Sequence, residues 1–141
     1  MTYRSQLLAG RVRCPCCGYP TLDAGADYEI CELCNWEDDG QSDDDADEVR
    51  GGPNADYSLT EARRNFAQYR VMYQPERDMR ISGADSKLEW ETKGLLIAAF
   101  EGLASRVGDQ DTLVKEILRL EEILRSETAR QVKEYEAKQD N

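Results

Sequence analysis

No histidine occurs among the 141 residues, and that one absence removes several function classes. Ser-His-Asp and Cys-His nucleophilic catalysis, HExxH metal chemistry and pH sensing by imidazole all need a side chain that is not there. Long apolar runs are missing as well. The longest, residues 95–100, falls far short of the roughly 18–20 residues of a membrane span, and no signal-peptide core is present. A soluble, cytoplasmic protein is therefore expected, with no membrane partner. Bases are scarce beside acids, 18 against 29, for a formal net charge of −11. Such a surface repels nucleic-acid phosphates and attracts basic proteins or cations. Lysine is absent from the first 80 residues, where every base is an arginine.

Cysteine is present, and all of it lies within residues 14–34. The stretch Cys14-Pro15-Cys16-Cys17-Gly18 is echoed by Cys31-Glu32-Leu33-Cys34. Each C-x-x-C pair can set two sulfurs about 3.5–4 Å apart on one side of a tetrahedral ion with Zn–S near 2.3 Å. In a reducing compartment metal is favoured over disulfide. The spacing predicts one structural Zn²⁺ per chain held by Cys14, Cys17, Cys31 and Cys34. Four thiolates leave no open position for a catalytic water, so the protein is expected not to be an enzyme. With that site filled the net charge falls to about −13. Redox use of one C-x-x-C pair is the rival reading, and it calls for a helix N-terminus to lower the thiol pKa. Cys16 occupies the free position of the first knuckle. It reads as a small, partly buried residue, with a reactive thiol as the alternative.

Around these cysteines the expected fold is α+β, a small zinc-ribbon β-hairpin module followed by three α-helices. Residues 1–74 form the first domain and residues 75–141 a helical hairpin region. Residues 1–12 offer an amphipathic lead-in with Tyr3, Leu7 and Leu8 as apolar contacts. Gly18 permits the positive φ at the exit of the first knuckle. Residues 19–22 and 28–30 read as the two hairpin strands, joined by a turn over 23–27. Ser58-Leu59-Thr60-Glu61 and Ser86-Lys87-Leu88-Glu89 are capping boxes. The first opens a helix of about 15 residues, with Leu59, Ala62, Phe66, Tyr69 and Met72 or Tyr73 on one face. The second opens a helix to about Val107, with Leu88, Leu96, Ala99, Phe100, Leu103 and Val107 as its stripe. Asp111 can cap a third helix, in which Leu113, Ile117, Leu120 and Leu124 have the spacing of an αα-hairpin and the tail beyond frays.

Between knuckles and helices runs the most biased piece of the chain. Residues 37–48 hold eight acids and no base, which predicts a mobile loop over 40–48. Asp43, Asp45 and Asp47 stand at the first ligand positions of a calcium loop. Glu48 and Asn54 then occupy places that require glycine and glutamate, so a dedicated calcium site is not expected. Trp36, Glu37, Asp38, Asp39, Asp43, Asp44, Asp45, Asp47 and Glu48 are the candidate docking surface for a basic partner.

The series Cys14-Pro-Cys-Cys-Gly-Tyr-Pro-Thr-Leu22, Tyr28-Glu-Ile-Cys31-Glu-Leu-Cys34-Asn-Trp-Glu-Asp-Asp39, Gly52-Pro-Asn54 and Ser58-Leu-Thr-Glu-Ala-Arg-Arg-Asn-Phe66 resembles the bacterial cysteine-rich CPCC family over roughly residues 13–70. That family is defined by its motif, and its members are similar to small proteins encoded near secreted polymorphic toxins. The resemblance implies an immunity or antitoxin-like role: a zinc-stabilised module that blocks a basic toxin effector domain through an acidic surface. Two alternatives stand beside it. One is a nucleic-acid-binding zinc ribbon using the arginines of residues 63–80, and the other is a thiol or redox protein using Cys16.

Overall fold

The computed structural model describes residues 8–140, which form two compact units, residues 8–77 and residues 78–140. Tyr3 and Leu7 lie outside the described residues, while Leu8 is buried. Among the described residues three α-helices form: α1 (Leu59–Tyr69), α2 (Lys87–Ser105) and α3 (Gln110–Gln139).

The expected zinc-ribbon hairpin does not form, and the fold is mostly helical. Among the described residues strand pairing is limited to isolated antiparallel bridges, Val12 with Leu22 and Ile30 with Glu37. Residues 19–22 therefore pair back across the first knuckle and residues 28–30 pair forward across the second. The physical reason lies in the segments themselves. Pro20 has no N–H to give a ladder. Ala26 and Tyr28 hold φ at 54° and 57°, a left-handed geometry that no strand can propagate.

In the first unit Leu22, Leu33, Trp36, Tyr57, Leu59 and Met72 are fully buried. Ser58 Oγ caps α1 by accepting from Glu61 N at 3.0 Å, while the Glu61 carboxylate is taken by Arg77 at 2.6 Å. The helix is shorter than its apolar spacing predicts. Arg70 turns left-handed at φ 60° and closes it on Phe66 O. Met72 then runs back to the second knuckle, its N–H donating to Cys34 O at 2.8 Å. The buried Asn65 amide donates to Met72 O at 2.8 Å and fixes that return. Tyr57 anchors the end of the unit, donating to Arg77 O at 2.8 Å beneath the Arg77 guanidinium, which stacks 4.5 Å from its ring centroid.

The second unit is an αα-hairpin. Ser86 and Glu89 complete the capping box of α2 with reciprocal bonds of 2.9 and 3.1 Å. Asp109, two residues earlier than the sequence suggested, caps α3. Leu96, Ala99 and Phe100 of α2 are buried, as are Val114, Ile117, Leu120 and Leu124 of α3, and Gly102 lets Leu113 approach as closely as a methyl group would allow. The expected stripe of α2 is wrong at its ends, because Leu88 and Val107 are exposed. The tail of α3 stays helical to Gln139. Ion pairs one turn apart run along it, such as exposed Arg130 with the buried Glu127 and the exposed Glu134. At the start of the unit Arg80, Asp78, Asp85 and Lys93 join in a buried ion network with contacts of 2.6 to 2.9 Å.

Candidate metal centre

Each knuckle is built from backbone hydrogen bonds that turn the chain around its own cysteine pair. In the first, Gly18 N donates to Cys14 O at 2.8 Å and Cys14 N to Tyr19 O at 2.9 Å. In the second, Asn35 N donates to Cys31 O at 2.8 Å and Cys31 N to Trp36 O at 2.9 Å. The two turns are copies of one another 17 positions apart. Gly18 takes the left-handed exit at φ 79°, as its place in the motif predicts, and Asn35 takes it at 73°. Asparagine adopts that conformation at small cost because its short polar side chain bonds locally. Here the Asn35 amide reaches a distant partner instead, donating to Tyr73 Oη at 2.9 Å.

The copied turns bring four sulfurs to one point. Cys14, Cys17, Cys31 and Cys34 all lie within 4.8 Å of one another. The close pairs run across the knuckles, Cys14 to Cys34 at 3.6 Å and Cys17 to Cys31 at 3.8 Å. Four sulfurs 2.3 Å from a shared tetrahedral centre stand about 3.8 Å apart, and the two close pairs already have that spacing. Three of the four cysteines are buried and Cys17 is half-buried, so bulk water reaches the cluster on at most one side. The chemistry of the set, four soft donors and no open position, is that of a metal-holding site.

Without an ion the cluster is an awkward assembly of protons. Burial opposes ionisation of Cys31, yet hydrogen bonds from Cys14, Cys17, Cys34 and Thr21 overcome it and hold that thiol well below its ordinary value. Hydrogen bonds with Cys14 and Cys31 push Cys17 far up. Burial, then hydrogen bonds with Cys14, Cys16 and Cys17, pushes Cys34 up. Thr21 Oγ1 sits 3.0 Å from Cys31 Sγ and Cys34 N donates to the same sulfur at 3.4 Å. Cys16 is buried, outside the four-sulfur set.

The candidate docking residues part company. Trp36 is fully buried, and the buried Asp38 carboxylate serves the fold, accepting from Ala26 N at 2.7 Å and Gly40 N at 3.2 Å. Glu37 gives both backbone groups to the buried Asn54 side chain, which accepts from Glu37 N at 3.0 Å and donates to Glu37 O at 2.8 Å in the manner of a neighbouring strand. Asp39 Oδ1 accepts from Gln41 N at 3.0 Å. The stretch expected to be mobile is tied down. The buried Gln41 amide donates to Asp45 O and Glu48 O at 3.0 and 2.9 Å, and Ala46 O accepts from Thr60 N at 2.9 Å.

Arginines take part of the charge. Asp43 pairs with Arg63 at 2.8 Å, and Asp45 and Glu48 pair with Arg50. Asp47 accepts from the Thr60 hydroxyl at 2.6 Å, and Asp43, Asp44, Asp47 and Glu48 stay exposed. The sequence reading missed Thr21, Asn54 and Arg63, which also donates to Pro15 O at 2.9 Å. For Thr21 a signal existed, since it lies four residues past Cys17. For Asn54 and Arg63 the partners are 17 and 48 positions away.

Against known proteins, the model of a family described as cysteine-rich CPCC matches residues 12–86. No curated protein and no solved structure matches the chain.

Proposed function

The chain belongs to the cysteine-rich CPCC family, and from that premise we propose that it is a non-enzymatic binding protein, with one structural zinc held by Cys14, Cys17, Cys31 and Cys34. The reading rests above all on the closure of the cluster: four sulfurs within 4.8 Å of one another, two pairs of them at tetrahedral spacing, suffice to take every position of the ion. A zinc bound there organises both knuckles and activates no water. Four thiolates and one Zn²⁺ add about −2 to a unit that is already acidic. Residues 8–77 carry fifteen acids against seven bases.

A surface of that charge, made and held in the cytoplasm, steers towards positive clefts. The partner we propose is a basic protein, the catalytic domain of a bacterial toxin, which the acidic face plugs in the manner of an immunity protein. Trp36 and Asp38 are interior, so the docking face draws on the exposed acids around them. A metal assay of the purified protein is expected to give one zinc per chain. Mixed with a toxin domain encoded beside it, the protein is expected to form a complex that weakens as salt is raised and to protect cells from the toxin. Neither complex nor protection, or tight binding of DNA or RNA at physiological salt instead, overturns the reading.

A further inference from the structure

The geometry points to the tip formed by Tyr28 and Ile30 as the apolar anchor of the docking face, built to seat an arginine-bearing segment of a partner protein. Tyr28 is 62% exposed and Ile30 51%. Single exposed apolar side chains are ordinary, but this pair is set apart by backbone and surroundings. Tyr28 holds φ at 57°, a conformation that costs a bulky residue, while most of its surface is left in solvent. The surrounding loop holds it there. Its N–H donates to Asp38 O at 2.9 Å and Asp38 N donates to Glu29 O at 3.0 Å. The buried Asp38 carboxylate braces Ala26 and Gly40 on either side, and Glu29 Oε1 accepts from Asp23 N at 2.7 Å. A rigid, strained loop that points an aromatic ring at solvent is a feature the fold itself does not need.

The frame around the pair is acidic. Ile30 bridges to Glu37, and directly paired residues of an antiparallel bridge put their side chains on the same face. Asp27 and Glu32, both exposed, flank the pair along the chain. An aromatic face beside carboxylates suits a guanidinium, which stacks on the ring and pairs with the acid together, and Ile30 offers contact for a neighbouring apolar side chain. A polyanion meets repulsion at the same place. This inference rests on the proposed role as a binder of basic proteins, and it names where and how that binding occurs.

The test uses the intact zinc-loaded protein and an eight-residue peptide of alternating arginine and leucine. In NMR titration the largest shifts are expected at Tyr28, Ile30 and Glu37. Because glycine suits a positive φ, Tyr28→Gly is expected to leave Tm unchanged or raise it by roughly 2–4 °C, yet to weaken peptide binding about tenfold; Ile30→Ser is expected to weaken it similarly. Stability and affinity moving in opposite directions is the signature of an anchor held under strain. Shifts centred on residues 43–48, or unchanged affinity in both variants, overturn the anchor. Because the peptide stands in for any arginine-bearing partner, failure with a toxin domain alone sinks the antitoxin role and leaves the anchor standing.

Discussion

The two halves of this chain solve the same problem by opposite means. In Leu8–Arg77 the backbone is mostly turns, and beside an apolar core of Leu22, Leu33, Trp36, Tyr57, Leu59 and Met72 order comes from polar contacts: four sulfurs at one point, and side chains such as Asn54, Asp38 and Gln41 that satisfy backbone groups one by one. From Asp78 onward the backbone satisfies itself within two helices, and order comes from apolar packing of Leu96 and Phe100 on one helix and Ile117 and Leu120 on the other. With so little regular backbone, a segment of about 70 residues gains much of its order from any ion that ties its turns together. The helical hairpin holds no such cluster among the described residues and rests on packing. The lesson is that the sulfurs able to hold a metal belong to one unit, while the other rests on helix packing.

Metal removal is the largest way to break that contrast. Structural zinc in small modules supplies an apparent ~10–16 kcal/mol that is also folding energy. Chelation, or Cys31→Ser, is therefore expected to collapse the dispersed amide signals of residues 8–77 in NMR spectra and to leave those of residues 87–139 in place. Simultaneous loss of both sets removes the distinction. Next in size is Ile117→Ala in the helical core, expected to cost about 2–5 kcal/mol, visible as a lower denaturant midpoint for the helices with zinc affinity unchanged. On the other side, Asn54→Ala strips the partners from Glu37 N–H and C=O and is expected to cost roughly 1–3 kcal/mol in the knuckle unit alone.

The smallest effect is a pH dependence confined to the helices. Hydrogen bonds from Arg130 and Ser86 hold the Glu127 carboxyl below its ordinary value against the opposing effect of burial. The folded form is then favoured above the unfolded carboxyl pKa, near 4.3, and the advantage fades as pH falls through the lower folded value. Thermal melts of the helical unit are expected to show Glu127→Gln less stable than the parent at pH 7, with the two converging near pH 3. A gap that persists in acid assigns the effect to packing.

What could be read ahead of the structure was whatever is decided within about five residues. The C-x-x-C pairs, the left-handed Gly18, and the helix starts at Ser58 and Ser86 are local patterns, and each is found where the pattern put it. Readings that needed a distant partner fared worse. Residues 19–22 and 28–30 look like a hairpin in isolation, but Leu22 is claimed by Val12 and Ile30 by Glu37. The apolar step that carried α1 on to Met72 was real, yet Met72 is buried by returning to Cys34 after Arg70 has ended the helix. The acidic run read as a mobile loop because charge density says nothing about Gln41, whose one amide ties two carbonyls.

By itself, then, the sequence determined the family motif, the four sulfurs that share a site and the number of long helices, because ligand spacing, capping and periodicity act through neighbours along the chain. Tertiary structure alone decided that both knuckles are one turn used twice, that Trp36 and Asp38 face inward, and that Tyr28 is held outward at a positive φ. These depend on which backbone groups find partners far away in sequence, and a buried N–H or carbonyl takes the partner the fold brings to it.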